Sequence, residues 1–157
     1  RAEGLSGEEL LLLRTAGLLQ GIGYLLDYSD PAGRSAAYAA EILPSFKYDQ
    51  GQIEIVSRIL MSARNESEHL GQLEQIFSDA CLNYLGRPDY PELAVELLLE
   101  INEHGKQYSA EEWIHRQEKF LQQHQFHTTA ARRLREFDMS TQLQALKVKL
   151  STRNRQG

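Results

Sequence analysis

The chain has 157 residues, of which 41% are hydrophobic and 25% are charged, and its formal net charge is −5. This composition is typical of a folded globular protein and excludes an intrinsically disordered one. The negative charge gives no electrostatic reason to expect nucleic acid or an anionic membrane as a partner. Cys81 is the single cysteine, so an intramolecular disulfide is excluded and a reducing, cytoplasmic location is predicted.

The first helix is predicted from a capping signal followed by apolar residues at the helical period. Ser6 with Glu9 three residues later forms the capping box, and Leu10, Leu13, Ala16 and Leu19 follow it. Gly21, Gly23 and the polar stretch over 27–30 predict the end of this helix.

Two further helices are predicted before the middle of the chain. Asp30 and Pro31 are typical of an N-cap and a first helical residue, and this second helix is predicted to end at Leu43. A third helix is predicted after Asp49. Its inner face is predicted to consist of Ile53, Val56, Leu60 and Met61.

The second half of the chain predicts the remaining helices. Residues 70–84 carry the most regular apolar stripe, and 91–104 form the next helix. Ser109 and Glu112 predict another capping box, and a short helix is predicted from about Thr128. The last helix contains Leu143, Leu146 and Leu150. The sequence therefore predicts an all-α fold, with about seven or eight helices in one domain over residues 1–157.

The residues that could carry chemistry are few. His124 and His127 have a spacing that would place two imidazoles on one helical face for a metal. They stand at a predicted helix end among glutamines, which favours polar surface positions instead. Cys81 lies on an apolar stripe, which favours a buried structural thiol over a nucleophile.

Several segments, each weak alone, occur in a specific order. A helix rich in small residues ends in Gln20-Gly21-Ile22-Gly23, and a later segment contains Asp79-Ala80-Cys81-Leu82. In order and spacing these segments resemble the HD-domain superfamily of metal-dependent phosphohydrolases, including one bacterial branch. The segments that carry the resemblance are 12–24, 35–44, 53–64, 73–90, 113–121 and 128–134.

The resemblance implies where a metal site would be. In that family a divalent metal is held by an upstream His, an adjacent His-Asp pair and a later Asp. The pair corresponds here to Gln20 and Gly21, an amide and a residue without a side chain. Asp79 is retained, but Cys81 stands at the second acid position, and 31–33 holds no equivalent of the family's His-Glu pair. One carboxylate does not hold a catalytic metal against water.

The resemblance thus implies a degenerate, catalytically inactive HD domain that acts as a binding, regulatory or scaffold module. Gln20, Gly21 and Asp79 are its vestigial metal positions, and no cofactor is expected. The predicted partners are a small phosphorylated ligand and a second copy of the chain, with no nucleic acid and no membrane. The first metal-binding His would fall upstream of Arg1, so the family's N-terminal helix is expected to lie outside this sequence.

Two alternatives stay open. The first is a divalent-metal-dependent phosphohydrolase of a nucleotide or other phosphate ester, with Asp79 and either His69 or upstream residues as ligands. The second is an unrelated helical interaction module, in which Gln20 and Asp79 would lie far apart.

Overall fold

A computed structural model of the chain describes residues 4–64, 70–135 and 139–153. These residues form nine α-helices and three 3-10 turns with no strand, and eight of the helices have seven residues or more. The predicted all-α class and number of helices are therefore confirmed. The helices are α1 Gly7–Leu19, α2 Ile22–Leu26, α3 Pro31–Ile42, α4 Gln50–Met61, α5 Gln72–Cys81, α6 Tyr90–Glu103, α7 Ala110–Gln123, α8 Thr129–Arg135 and α9 Met139–Arg153. The 3-10 turns are Leu43–Phe46, Ser62–Arg64 and Asn83–Gly86.

The helices belong to two compact units, and each has its own apolar core. Unit 1 covers residues 1–81 with α1 to α5, and unit 2 covers 82–157 with α6 to α9. The prediction of one HD-like domain over the whole chain stays a prediction. The core of unit 1 consists of Leu12, Ala16, Leu19, Ala39, Leu43, Ile53, Val56, Ile59, Leu60 and Phe77. That of unit 2 consists of Leu85, Tyr90, Ala94, Val95, Leu98, Trp113, Leu121, Phe126, Leu143, Leu146 and Leu150.

The helix starts follow the capping chemistry of the sequence. The side chain of Ser6 accepts from the backbone N–H of Glu9, and the Glu9 carboxylate accepts from the N–H of Ser6. Ser109 and Glu112 make the same reciprocal pair at the start of α7. Both predicted capping boxes are thus confirmed, and Asp30 is confirmed as the N-cap of α3. Such caps satisfy backbone donors that the first helical turn leaves unpaired.

Three local predictions are wrong. Residues 22–26, predicted to lie in the stretch that ends the first helix, form α2. Met61 is 36% exposed rather than part of the inner face of α4, because it is the last residue of that helix. The predicted helix over 70–84 is α5 from Gln72 to Cys81, and Tyr84 belongs to a following 3-10 turn.

Two buried polar contacts connect the helices of unit 2. The hydroxyl of Tyr90 on α6 donates to Oε1 of Gln117 on α7 at 3.0 Å, and both residues are buried. Trp113 donates from Nε1 to the carbonyl oxygen of Ala94 at 2.9 Å. Burial raises the pKa of the Tyr90 hydroxyl well above its usual range, with the nearby Tyr84 adding to the effect. The hydroxyl is therefore a proton donor throughout the neutral range.

Replacing Tyr90 with Phe tests the first contact. Tyr90→Phe leaves the Gln117 acceptor buried without this donor, and we expect a loss of about 1–3 kcal/mol in the free energy of unfolding. Tyr38→Phe is the control, because Tyr38 is partly buried and its hydroxyl has no hydrogen-bond partner among the described residues. Denaturant titration of both variants measures the difference. Equal stabilities would show that the Tyr90–Gln117 bond contributes nothing net.

Candidate binding site at the α1–α2 junction

Gln20 and Gly21, two of the predicted vestigial positions, form the junction between α1 and α2. Both keep right-handed helical dihedral angles, with φ of −55° and −73°. Gln20 is partly buried, whereas Gly21 is exposed and a Cβ there would meet nothing within 4 Å. The side chain of Gln20 is thus in contact with the rest of unit 1, whereas position 21 faces open space.

The side chain of Gln20 is bonded to α5. Its Nε2 donates to Sγ of Cys81 at 3.1 Å. The resemblance placed Gln20 at the position of a metal-binding His. It placed Cys81 at the second acid of the segment whose first acid, Asp79, is the predicted ligand. The structure therefore brings these two positions together, and they contact each other directly.

A serine that the sequence analysis did not single out holds the junction. Ser35 on α3 is fully buried, and its Oγ accepts from the backbone N–H of Gly23 at 3.0 Å. The same hydroxyl donates to the carbonyl oxygen of Gln20 at 2.9 Å. A side chain inserted into the backbone ladder in this way is a known cause of helix irregularity. The only signal in the sequence was a single serine beside the alanines of the second predicted helix.

Gly23 makes the close approach of α2 to α3 possible. A Cβ at this residue would lie 1.7 Å from the carbonyl oxygen of Pro31 and 2.7 Å from Oγ of Ser35. No side chain fits there without a backbone shift.

Alanine substitutions at the two junction glycines should therefore differ. We expect Gly23→Ala to lower the free energy of unfolding by about 3 kcal/mol, because the backbone of Pro31 must move. Gly21→Ala is the matched control and should stay within about 1 kcal/mol of the wild type, because its Cβ enters open space. Chemical denaturation followed by circular dichroism measures both. A Gly23→Ala variant as stable as Gly21→Ala would contradict this account of the junction.

Asp79, the third vestigial position, lies on α5 two residues before Cys81. It is 4% exposed and is buried together with Phe77 and Ser78. Its predicted place inside a helix is confirmed, and α5 packs against α1. His69, the alternative ligand, lies outside the described residues.

The donor atoms at this junction do not fit a divalent metal. The amide nitrogen of Gln20 is a hydrogen-bond donor to sulfur, and Gly21 has no side chain. Burial raises the pKa of the Cys81 thiol to about 11, with the Gln20 hydrogen bond acting in the opposite direction. The free thiol is therefore protonated at neutral pH. Over the described residues, no group of three His, Cys, Asp or Glu side chains has a metal-binding arrangement.

Burial of the thiol has a measurable consequence. We expect Cys81 to react slowly with a thiol reagent at pH 8 in the folded protein and quickly after denaturation, because the thiolate is the nucleophile. The unfolded thiol ionises near pH 9.0 and the folded one near 11, so the unfolded chain loses its proton first. The free energy of unfolding should therefore fall as pH rises through this interval. Cys81→Ser, which does not titrate there, should show less of this fall, and an equal fall would contradict the shift.

A cavity of about 330 Å³ in unit 1 lies beside the junction. Pro31 and Ala32, where the family's His-Glu pair would fall, belong to its wall. Its lining also includes polar, aromatic and apolar side chains, among them Gln20, Tyr24, Asp30, Ser35, Leu60 and Arg64. The volume lies at the lower end of the range for small-molecule sites, which is about 300–1,000 Å³.

An ion pair lies on the wall of this cavity. The Arg64 guanidinium bonds to Oδ1 of Asp30, which also accepts from the backbone N–H of Gly33 at 3.0 Å. These two contacts, first Arg64 and then Gly33, hold the pKa of the Asp30 carboxyl below its usual range. Arg64 has five N–H donors, so this pair leaves it the capacity to bind an anion as well.

Unit 2 contains a wider groove. The groove, of about 1140 Å³, lies between α6 and α9 and includes the Lys149–Glu92 ion pair of 2.7 Å.

His124 follows the end of α7 with extended backbone angles, and its ring packs between Phe120 and Phe126. His124 and His127 therefore do not share a helical face, so the arrangement for a metal that the sequence analysis did not favour is not present.

Comparison of the chain with protein-family models, with curated proteins and with solved structures gives no match in any of the three. The resemblance to the HD-domain superfamily therefore stays a prediction that depends on the order and spacing of its segments.

Proposed function

We propose that the chain is a non-hydrolytic helical module that binds a small phosphorylated ligand in the cavity beside the α1–α2 junction. The observation that carries this proposal is the bond from Gln20 Nε2 to Cys81 Sγ. It gives the side chain at the position of the family's metal-binding His a packing partner, Cys81, which stands where the family has an acid. A hydrolase of this kind would need a metal to acidify water and to neutralise charge on the phosphate.

The cavity supports binding rather than catalysis. Its lining combines the aromatic Tyr24, the apolar Leu60 and the positively charged Arg64. Guanidinium groups bind phosphate oxygens through paired hydrogen bonds, which need no metal. Asp30 holds Arg64 in place and would share it with the ligand.

The proposal is tested by ligand binding to the full chain. We expect a nucleoside monophosphate or p-nitrophenyl phosphate to raise the thermal unfolding midpoint without being hydrolysed. Arg64→Ala should weaken binding about ten- to a hundredfold, as expected for the loss of a charged hydrogen bond of about 1.5–3 kcal/mol. Isothermal titration calorimetry gives the dissociation constants.

Arg58→Ala is the matched control, because Arg58 also forms an ion pair in unit 1, with Glu74 at 3.2 Å, but does not line the cavity. This variant should bind like the wild type. Stoichiometric metal after purification, or manganese-dependent hydrolysis that Asp79→Ala abolishes, would decide for the phosphohydrolase alternative. Equal binding by the Arg64 and Arg58 variants would overturn the assigned site.

A further inference from the structure

The helical stretch from Gly7 to Leu26 is apolar on nearly all its sides. It has 20 residues with a mean hydropathy of 1.2 over an 18-residue window, of which 17% is buried. Length and composition alone would allow such a helix to cross a membrane. A helix of this kind in a soluble protein is normally covered on every side.

The two sides of this stretch differ in what covers them. Leu12, Ala16, Leu19 and Gly23 are buried within unit 1, and their spacing keeps one helical register across the junction. On the other side, Leu11, Leu18 and Leu25 are 50%, 82% and 87% exposed and recur every seven residues. We call the surface formed by Leu10, Leu11, Leu18, Leu25 and Leu26 the leucine face. The exposed fractions of these five leucines add up to about three fully exposed leucine residues. An apolar surface of this extent is unusual on a protein that has no partner there.

The leucine face has the features of a helix–helix seam. A seven-residue repeat is the spacing at which one helix meets another along its length. Gly17 and Gly21 flank Leu18, and a Cβ at either one would meet nothing within 4 Å. Glycines four residues apart allow two helix backbones to approach closely. The small residues thus lie where a second helix would need them.

Of the three charged side chains in this helical stretch, two are held by other groups and the third, Arg14, borders the leucine face. Glu8 accepts from Nε2 of Gln52 on α4 at 2.8 Å, and Glu9 is bonded to Ser6, so both carboxylates are held by other groups. Arg14 lies beside Leu11 and Leu18 and carries the single charge of this part of the described helix.

A second copy fits this surface better than a lipid bilayer does. Insertion across a bilayer would remove Leu12, Ala16 and Leu19 from the core of unit 1. A symmetric dimer, in contrast, uses the same surface on both chains and leaves that core in place.

We propose that the leucine face is the contact between two copies of this chain, with their α1–α2 stretches antiparallel about a two-fold axis near Leu18. Leu18 then meets the Leu18 of the other copy, and each Leu11 meets a Leu25. Each Arg14 lies opposite the region of Gly21 in the other helix, whereas a parallel pair would bring the two Arg14 side chains together. The antiparallel pair therefore avoids a like-charge contact on an apolar surface.

Analytical ultracentrifugation of the full chain over a wide range of concentration tests the proposal. We expect a monomer–dimer equilibrium whose dissociation constant rises about thirtyfold or more in Leu18→Glu. Leu134→Glu is the matched control, because Leu134 is 70% exposed on α8 in unit 2, and it should dimerise like the wild type. A monomer at every concentration, or equal effects of the two substitutions, would overturn the proposal.

Two further variants test how the copies meet. Gly17→Ala should raise the thermal stability of the monomer, since alanine favours a helix, and yet weaken dimerisation, since its methyl group enters the seam. Under mild oxidation, Leu18→Cys should cross-link to itself, whereas Leu11→Cys should cross-link only when mixed with Leu25→Cys. The wild type, with the partly buried Cys81 alone, is the control. Self-cross-linking of Leu11→Cys would overturn the antiparallel arrangement.

Co-sedimentation with neutral phosphatidylcholine vesicles and with vesicles containing phosphatidylglycerol distinguishes a lipid partner. The proposal predicts that the chain stays in the supernatant with both. A monomeric chain that sediments with either kind of vesicle, and is released by Leu18→Glu, would assign the leucine face to membrane binding instead.

Discussion

The structure of unit 1 depends on one buried hydroxyl. Ser35 accepts from the N–H of Gly23 and donates to the carbonyl oxygen of Gln20, so it satisfies two backbone groups where α1 passes into α2. A buried backbone group without a partner costs about 1–3 kcal/mol, and this single side chain prevents two such losses. Because α3 carries the hydroxyl, the same bonds fix α3 against the junction.

Two surfaces follow from that contact. The close approach of α2 to α3, which Gly23 permits, places Tyr24 and Gln20 on the wall of the cavity whose other side includes Leu60 and Arg64. The same contact also sets the rotation of the α1–α2 stretch. With Leu12, Ala16 and Leu19 turned into the core, the leucines at 11, 18 and 25 have to point away from it. The packing of α2 against α3 thus determines both the cavity and the exposure of the leucine face.

The parts of the fold that the sequence predicted correctly are those set by neighbouring residues. The capping boxes at Ser6 and Ser109 involve groups three residues apart, so the chain itself carries all the information. The junction was not predictable in that way, because Gly23 is required by the carbonyl of Pro31 and by Ser35, which reach it only after α3 packs. Gln20 was identified as a site residue through the resemblance, but its bond to Cys81 crosses 61 residues. The exposure of Leu18 and Leu25 was likewise hidden, since an apolar periodic helix predicts burial without specifying how many sides are covered.

Tyr24 connects the two surfaces physically. It lines the cavity, is 48% exposed, and stands one residue before Leu25 of the leucine face, with its ring packed edge-on against Tyr28 at 5.5 Å. A ligand that orders Tyr24 would therefore act on the same short helix that a second copy covers. Coupling between two binding events is reciprocal, so a ligand that strengthened dimerisation would itself bind more tightly to the dimer. Under the proposed function, a link of this kind would let the ligand regulate dimerisation through the α1–α2 stretch.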